Sequence, residues 1–224
     1  MFTLDIYSDP ICPWCYIGKA KLDQGLARME GQPFEIRWLP FRLNPGMPPE
    51  GMDRKAYLNA KFQDETGGHA YEAVAEVARE AGLELDFSRI KRTPSTDDAH
   101  RLIYWARAEG VQNAVVDGLF KAYFEDGRDI SNHEVLCDLA EAAGMSREAT
   151  ATLLASNADH ETIDAEDDAA RQMGVSGAPT YLINARYVIQ GAQDPELWLR
   201  LVDELRLLKA AQEAGPNLSH PGRA

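Results

Sequence analysis

The spacing of apolar positions changes repeatedly along the chain. Phe2, Leu4 and Ile6 alternate with Thr3, Asp5 and Tyr7, a period of two that predicts a strand with one face in a core, ending near Ser8. After Asp9-Pro10 the period lengthens. Cys15, Gly18, Leu22, Leu26 and Met29 follow at steps of three and four, one stripe of a helix, with Pro13 suited to its first turn, where a missing N–H costs nothing. Gly31-Gln32-Pro33 breaks that helix, and Phe34, Ile36 and Trp38 alternate with Glu35 and Arg37 in a second strand.

A Pro- and Gly-rich stretch, Asn44 to Glu50, leads into a long region that reads as helix from about Asp53 to Met173. Helices are predicted around Tyr57–Gln63, Tyr71–Ala81, Ala99–Ala108, Val115–Phe124, Glu134–Ala143, Arg147–Leu154 and Thr162–Met173. Gly82, Gly110, Gly127 and Gly144 fall where C-terminal caps belong. Beyond Gly174 the strand signal returns at Thr180–Ile183 and Tyr187–Gln190, around a turn at Asn184-Ala185. A last helix is expected to start with Asp194 as N-cap and Pro195 at its first position, with Leu197, Leu201, Leu205 and Leu208 as its apolar stripe.

The order is therefore β-α-β, a helical insertion, then β-β-α, which makes a mixed sheet flanked by helices. The expected division is 1–45 with 174–212 as one discontinuous α/β domain, 46–173 as an inserted all-helical domain, and 213–224 as a disordered tail, polar and Gly/Pro-containing from Gly215.

Charge and length narrow the function. A chain of 224 residues can bury a core without disulfide staples. Its 36 acidic against 23 basic side chains, a net charge of −13, repel phosphate backbones, so nucleic acid is a poor partner. No window approaches the apolar run of a membrane span, and the opening residues do not resemble a secretory signal, so a cytoplasmic setting is expected.

Of the three cysteines, Cys12 and Cys15 stand in Cys12-Pro13-Trp14-Cys15 at the junction of strand and helix. Unpaired N–H groups and the helix dipole at that end favour a thiolate, which makes Cys12 the expected nucleophile. Cys15, one turn on and on the buried stripe, is the expected resolving thiol. Pro13 stiffens the turn and Trp14 offers a flat apolar surface to a substrate. With Trp14 and no His between the cysteines, a moderate redox potential is expected. A structural zinc site would need four ligands, and no second close pair of ligands accompanies the cysteines.

Other candidates read more simply as structure. Cys137, among Val135, Leu136, Leu139 and Ala140, has the surroundings of a small buried hydrophobe. The acidic run from Asp159 to Asp168 reads as a solvated helix face. His69, His100 and His133 are isolated in sequence, and Tyr104 and Trp105 read as core. By spacing alone, Pro179 reads as a trans proline at the entry to a strand.

The run Asp9-Pro10-Ile11-Cys12-Pro13-Trp14-Cys15-Tyr16-Ile17-Gly18-Lys19 resembles the active-site segment of the DsbA family of thiol–disulfide oxidoreductases, in its FrnE-like branch. Trp38 to Pro45, and Gly174 to Pro179 through Gln193, resemble the family's second-strand exit, proline loop and closing hairpin. The resemblance spans Phe2 to about Leu208. It implies a thioredoxin fold interrupted by a helical domain, a cis Pro179 facing Cys12, and a substrate surface that includes Ala178 and Pro179.

The implied activity is disulfide exchange or isomerisation on a thiol or disulfide substrate, protein or small molecule. No cofactor is expected, with glutathione open as reductant or co-substrate and a thioredoxin-type protein as another reductant; the chain would be a monomer or a homodimer. Kappa-class glutathione transferases and 2-hydroxychromene-2-carboxylate isomerases share this architecture, and they typically carry Ser where this chain has Cys12. A glutathione-dependent transferase or isomerase is thus one alternative, and a redox-linked holdase is another.

Overall fold

A computed structural model of the chain describes residues 1–63 and 68–214, with the side chains of 68–70 and of 214 outside the description. A four-stranded sheet carries the site. Strand β1 (Phe2–Ser8) lies at its centre, parallel to β2 (Phe34–Pro40) and antiparallel to β5 (Thr180–Ile183), which pairs antiparallel with the edge strand β6 (Tyr187–Gln190). The register sets Ile6 opposite Trp38 on one side and Tyr181 on the other.

Helix α1 (Pro13–Ala27) joins β1 to β2, and α9 (Pro195–Ala214) follows β6 and packs against α1. The sheet face bearing Leu4 and Ile6 shares one core with Cys12, Cys15, Leu22, Phe34, Trp38, Tyr181 and Trp198. Alternation predicts one buried face for β1, yet Leu4 through Ser8 are all buried. The reason is the strand's central position. Tyr7 on the other face packs with Phe41 and Ala170, and Asp5 is clamped by Arg37 Nε and Nη2 at 2.6 and 2.8 Å.

Between β2 and β5 run α2 (Arg54–Phe62), α3 (Gly68–Glu80), α4 (Asp97–Ala108), α5 (Gln112–Phe124), α6 (His133–Ala142), α7 (Arg147–Leu154) and α8 (His160–Gln172). The helical reading therefore holds with boundaries moved by a few residues. It lacked one element: Met52–Asp53 (β3) and Arg92–Thr93 (β4) pair as a short antiparallel ribbon that closes the loop containing α2 and α3. Four residues in all are too few for a period-two pattern to register. Gly82 and Gly144 take φ of 78° and 96° just beyond α3 and α6, the left-handed cap conformation expected of them.

Helices α4, α5 and α8 pack on β2, and the main core continues from the sheet into Leu102, Val115, Leu119 and Phe120. Buried Lys19 ties α1 to α5 through Asp117 at 2.5 Å. In α9 the buried stripe is Trp198, Val202 and Leu205, with Leu201 beside it and Leu208 exposed. The expected leucine series only partly coincides with that stripe: two four-residue steps turn it by about 80° onto the core at Leu205, and the three-residue step to Leu208 turns it back out. Asp194 does precede Pro195, and its carboxylate takes Lys21 Nζ at 2.6 Å. The helix continues through Ala214, so residues 213 and 214 of the expected tail are helical, and the rest of that tail lies outside the described residues. Among the described residues no helix is long and apolar enough to cross a membrane.

Candidate active site

The site is built where β1 hands over to α1. Ser8 ends the strand, and Asp9 turns the chain so that its carbonyl accepts from the Cys12 amide at 2.9 Å. Cys12 is the N-cap of α1, in extended conformation with φ −89° and ψ 112°, and Pro13 occupies the first helical position. Its carbonyl accepts from the amides of Cys15 and Tyr16 at 3.1 and 3.3 Å. No side chain caps this end, so the open first turn of the helix faces the Cys12 sulfur.

Cys12 is 3% exposed and Cys15 1%, while Trp14 between them is 40% exposed. Both cysteines carry free thiols. Burial, and then the neighbouring Cys12 sulfur, push the Cys15 thiol well above its ordinary range; the Ser8 hydroxyl and the Asp9 amide, hydrogen-bonded to it, pull the other way. Cys15 is thus held as a thiol unless something draws its proton away.

The opposite wall comes from the chain's far end. The Ala178–Pro179 peptide is cis, unlike the trans proline that spacing alone predicts and as the family resemblance implies. The Cys12 thiol donates to the Ala178 carbonyl at 3.5 Å across 166 residues of sequence. The loop is pinned on either side of that proline: Thr180 Oγ1 donates to Gly177 O at 2.7 Å, and the Gly191 amide donates to Pro179 O at 2.8 Å. Gly18 of α1 packs directly beneath, against Pro179 and the buried Tyr181. Of the residues singled out from sequence, then, Cys12, Cys15, Pro13, Trp14, Ala178 and Pro179 meet at one place.

A second layer beneath the cysteines was not legible as a site. Asp9 is 0% exposed, and its Oδ1 accepts from the Ile11 amide at 3.2 Å and its Oδ2 from the Leu43 amide at 2.6 Å. Burial raises its carboxyl to about 6, against the downward pull of those two amides and the Thr96 hydroxyl. Across from it lies His100 of α4, 2% exposed, with Nε2 4.0 Å from Asp9 Oδ1. Burial, then the Arg42 charge, lower His100 to about 4, so it is neutral at pH 7. The signals available in sequence were weak: Asp9 within the motif run, and His100 on the apolar stripe of Ala99, Leu102, Ile103 and Ala106.

The remaining candidates lie elsewhere. Cys137 is buried in α6, and burial raises its thiol further. The acidic side chains of α8 and the loop before it are engaged by protein groups: Asp159 accepts from Trp105 Nε1 at 2.8 Å, Asp164 and Asp167 meet Arg42, and Glu166 meets Arg107. The expected solvated face is therefore partly a set of ion pairs binding α8 to α4 and to Arg42, just beyond β2. Among the described residues no His, Cys, Asp or Glu cluster could hold a metal. Trp105 is buried in the core, and His133 bonds Asp98 at 2.9 Å. The His69 side chain lies outside the described residues.

Comparison with known proteins places this geometry. The probable DsbA oxidoreductase SCO1869 of Streptomyces coelicolor is 26% identical and superposes with a TM-score of 0.82, over 100% of this chain and 94% of that one. 2-Hydroxychromene-2-carboxylate isomerase shares the fold at 22% identity and a TM-score of 0.65, with 95% of each chain covered. The cytosolic disulfide reductase DsbM of Pseudomonas aeruginosa, in a structure with GSH, shares it at 18% and 0.61, over 95% of this chain and 99% of that one. Residues 3–203 match the DSBA-like thioredoxin domain, and the chain accordingly belongs to that family of disulfide oxidoreductases and isomerases.

Proposed function

We propose that the chain catalyses dithiol–disulfide exchange through Cys12 and Cys15, as a cytoplasmic enzyme of the FrnE-like branch. The observation that carries this reading is the position of Cys12 Sγ, at the open N-terminus of α1 and 3.5 Å from the carbonyl beside Pro179, with Cys15 buried one turn behind. When the substrate is a disulfide to be reduced, the Cys12 thiolate attacks it, forming Cys12–S–S–R and releasing the other half as a thiolate. The Cys15 sulfur then attacks Cys12, closing the Cys12–Cys15 disulfide, and the Cys15 proton leaves with the departing RS⁻. Run in the opposite sense, the same steps oxidise a dithiol.

Trp14, exposed beside Cys12, and the backbone at Ala178 supply an apolar face and a hydrogen-bonding edge for an extended substrate. No cofactor enters these steps. The test is a redox titration of Cys137→Ala protein in defined glutathione buffers, read by acid-quenched thiol labelling and mass spectrometry. A reversible two-electron transition between about −270 and −120 mV is expected. Cys15→Ser should accumulate a Cys12 mixed disulfide with substrate. A pair that stays reduced throughout would overturn the reading.

A glutathione-dependent reaction is the second reading, favoured by the fold shared with an isomerase and with a disulfide reductase seen with GSH. It predicts glutathione-dependent turnover that survives Cys15→Ser, whereas two-thiol exchange does not.

A further inference from the structure

The first turn of α2 carries charge of the wrong sign for a helix start. Asp53 caps the helix, its carboxylate accepting from the Ala56 amide at 3.0 Å, and the next two residues are Arg54 and Lys55, with no acidic side chain in that turn. Unpaired amides already make this end of a helix positive, so cations here are unfavourable unless an anion lies close by. A third cation joins them. The Arg54 amide donates to the Lys91 carbonyl at 3.0 Å where the β3–β4 ribbon closes, and this brings Lys91 beside the same turn.

Arg54 is 8% exposed, and hydroxyls and rings surround its guanidinium. Nη1 donates to Thr93 Oγ1 at 3.0 Å and to the Tyr123 hydroxyl at 3.5 Å, Nη2 donates to the Tyr71 hydroxyl at 2.6 Å, and the Tyr57 and Tyr71 rings lie 5.7 and 5.2 Å from its central carbon. Lys91 Nζ reaches the Ser88 carbonyl at 2.9 Å. Among the described residues none of Arg54, Lys55 and Lys91 has a carboxylate partner, whereas the neighbouring Arg89 and Arg92 are paired with Asp86 and Asp129. A buried guanidinium without a carboxylate is costly to keep.

The missing negative charge has room. A cavity of about 410 Å³ lies between α2 and the turn that follows α3, lined by these three cations and by Leu58, Phe87 and Ile90. Asp53 also lines it, but its carboxylate is committed to the cap. An apolar wall with a few convergent charged groups, at this volume, is the make-up of a small-molecule site. None of Cys12, Pro13, Trp14, Cys15, Ala178 and Pro179 lines it. On a chain of net charge −13, three such cations around one cavity focus a local field opposite in sign to the protein as a whole.

We propose that this cavity binds an amphiphilic organic anion, its carboxylate-like head held by Arg54, Lys55 and Lys91 and its apolar chain or ring laid on Leu58, Phe87 and Ile90. The site is separate from the thiols and does not rest on the exchange reading. Both parts of the ligand are needed: a bare anion leaves the apolar wall wet, and a neutral chain leaves the guanidinium without its counter-charge.

The experiment is a titration of full-length, ¹⁵N-labelled reduced protein with octanoate, followed by amide NMR, with acetate and 1-octanol as probes that lack the chain or the charge. The amides of Leu58, Phe87, Ser88 and Lys91 should shift and saturate with a Kd of about 1 mM or tighter. Acetate and 1-octanol should each bind at least about tenfold more weakly. Lys55 and Lys91 are exposed, so the double variant Lys55→Glu, Lys91→Glu keeps the fold and should weaken octanoate at least about tenfold. Cys12→Ser, Cys15→Ser protein should bind octanoate as wild type does. 1-Octanol binding as tightly as octanoate, an unchanged Kd in the charge-reversed variant, or shifts centred on Trp14 and Ala178 would each overturn the proposal. So would an absence of saturation by about 10 mM octanoate, and the three wild-type titrations decide the matter without any variant.

Discussion

Gly18 gives the sharpest test of how α1 is seated against the proline loop. A Cβ built there would overlap the Tyr181 hydroxyl more closely than any real Cβ contact and would stand 3.2 Å from Pro179 Cγ and 3.5 Å from Ala192 Cα. Tyr181 is fully buried between α1 and Trp198, with ring centroids 4.8 Å apart, so its hydroxyl has little room to retreat. Two opposing terms set the size of the Gly18→Ala effect. Overpacking a rigid core costs about 1–3 kcal/mol, and replacing glycine inside a helix returns about 1 kcal/mol.

Gly18→Ala should therefore lose roughly 0–2 kcal/mol in the wild-type background, centred near 1. Tyr181→Phe removes the clashing atom, and in that background the helix term survives, leaving Gly18→Ala near neutral or slightly stabilising. The assay is a double-mutant cycle by urea unfolding, with m-values compared to confirm that the transition is unchanged. A coupling of about 2 kcal/mol is expected. Additivity within about 0.5 kcal/mol would refute the packing argument.

Other outcomes follow from the buried polar layer. His100 is held near 4 in the fold, against about 6.5 unfolded, so its contribution to stability is complete above pH 6.5 and is lost as pH falls towards 4, a loss of roughly 3 kcal/mol. Asp9, raised to about 6, acts in the opposite sense: its contribution is complete below its unfolded value and is lost as pH rises through 6. In wild type the two offset each other between pH 4 and 6. His100→Phe should keep only the Asp9 limb, so its unfolding free energy, measured by urea at several pH values, should gain roughly 3 kcal/mol on wild type between pH 7 and 4; parallel pH profiles would count against the assignment. Arg101 is buried and donates to the carbonyls of Ala158, Leu153 and Ser156 at 2.7 to 2.8 Å, holding the α7–α8 connection. Arg101→Met should cost about 3–5 kcal/mol by orphaning those carbonyls and freeing Asp98, and a loss below about 1 kcal/mol in thermal or urea unfolding would show that water replaces it.

Much of the fold was legible because it is written in short-range patterns. The alternation in β1 and β2, the stripe in α1 and the hairpin at Thr180–Gln190 come from residues a few positions apart, and so does the Cys12-Pro13-Trp14-Cys15 turn at a helix start. Local spacing also located most of the inserted helices, with glycine caps marking several ends. These signals need no knowledge of what each segment touches.

What depended on distant partners had to wait for the tertiary structure. Whether one or both faces of β1 are buried depends on β2, β5 and α8, and the buried stripe of α9 is chosen by α1 and the sheet, so leucine spacing alone met it only in part. The meeting of Cys12 with Ala178 spans 166 residues, and the family resemblance anticipated it where spacing did not. Asp9 and His100 each looked ordinary, one a turn residue and the other an isolated histidine on an apolar stripe. Their chemistry exists only because packing removes water from both and brings them to 4.0 Å, and a buried charge is shaped by its neighbours in space, which one-dimensional order does not name.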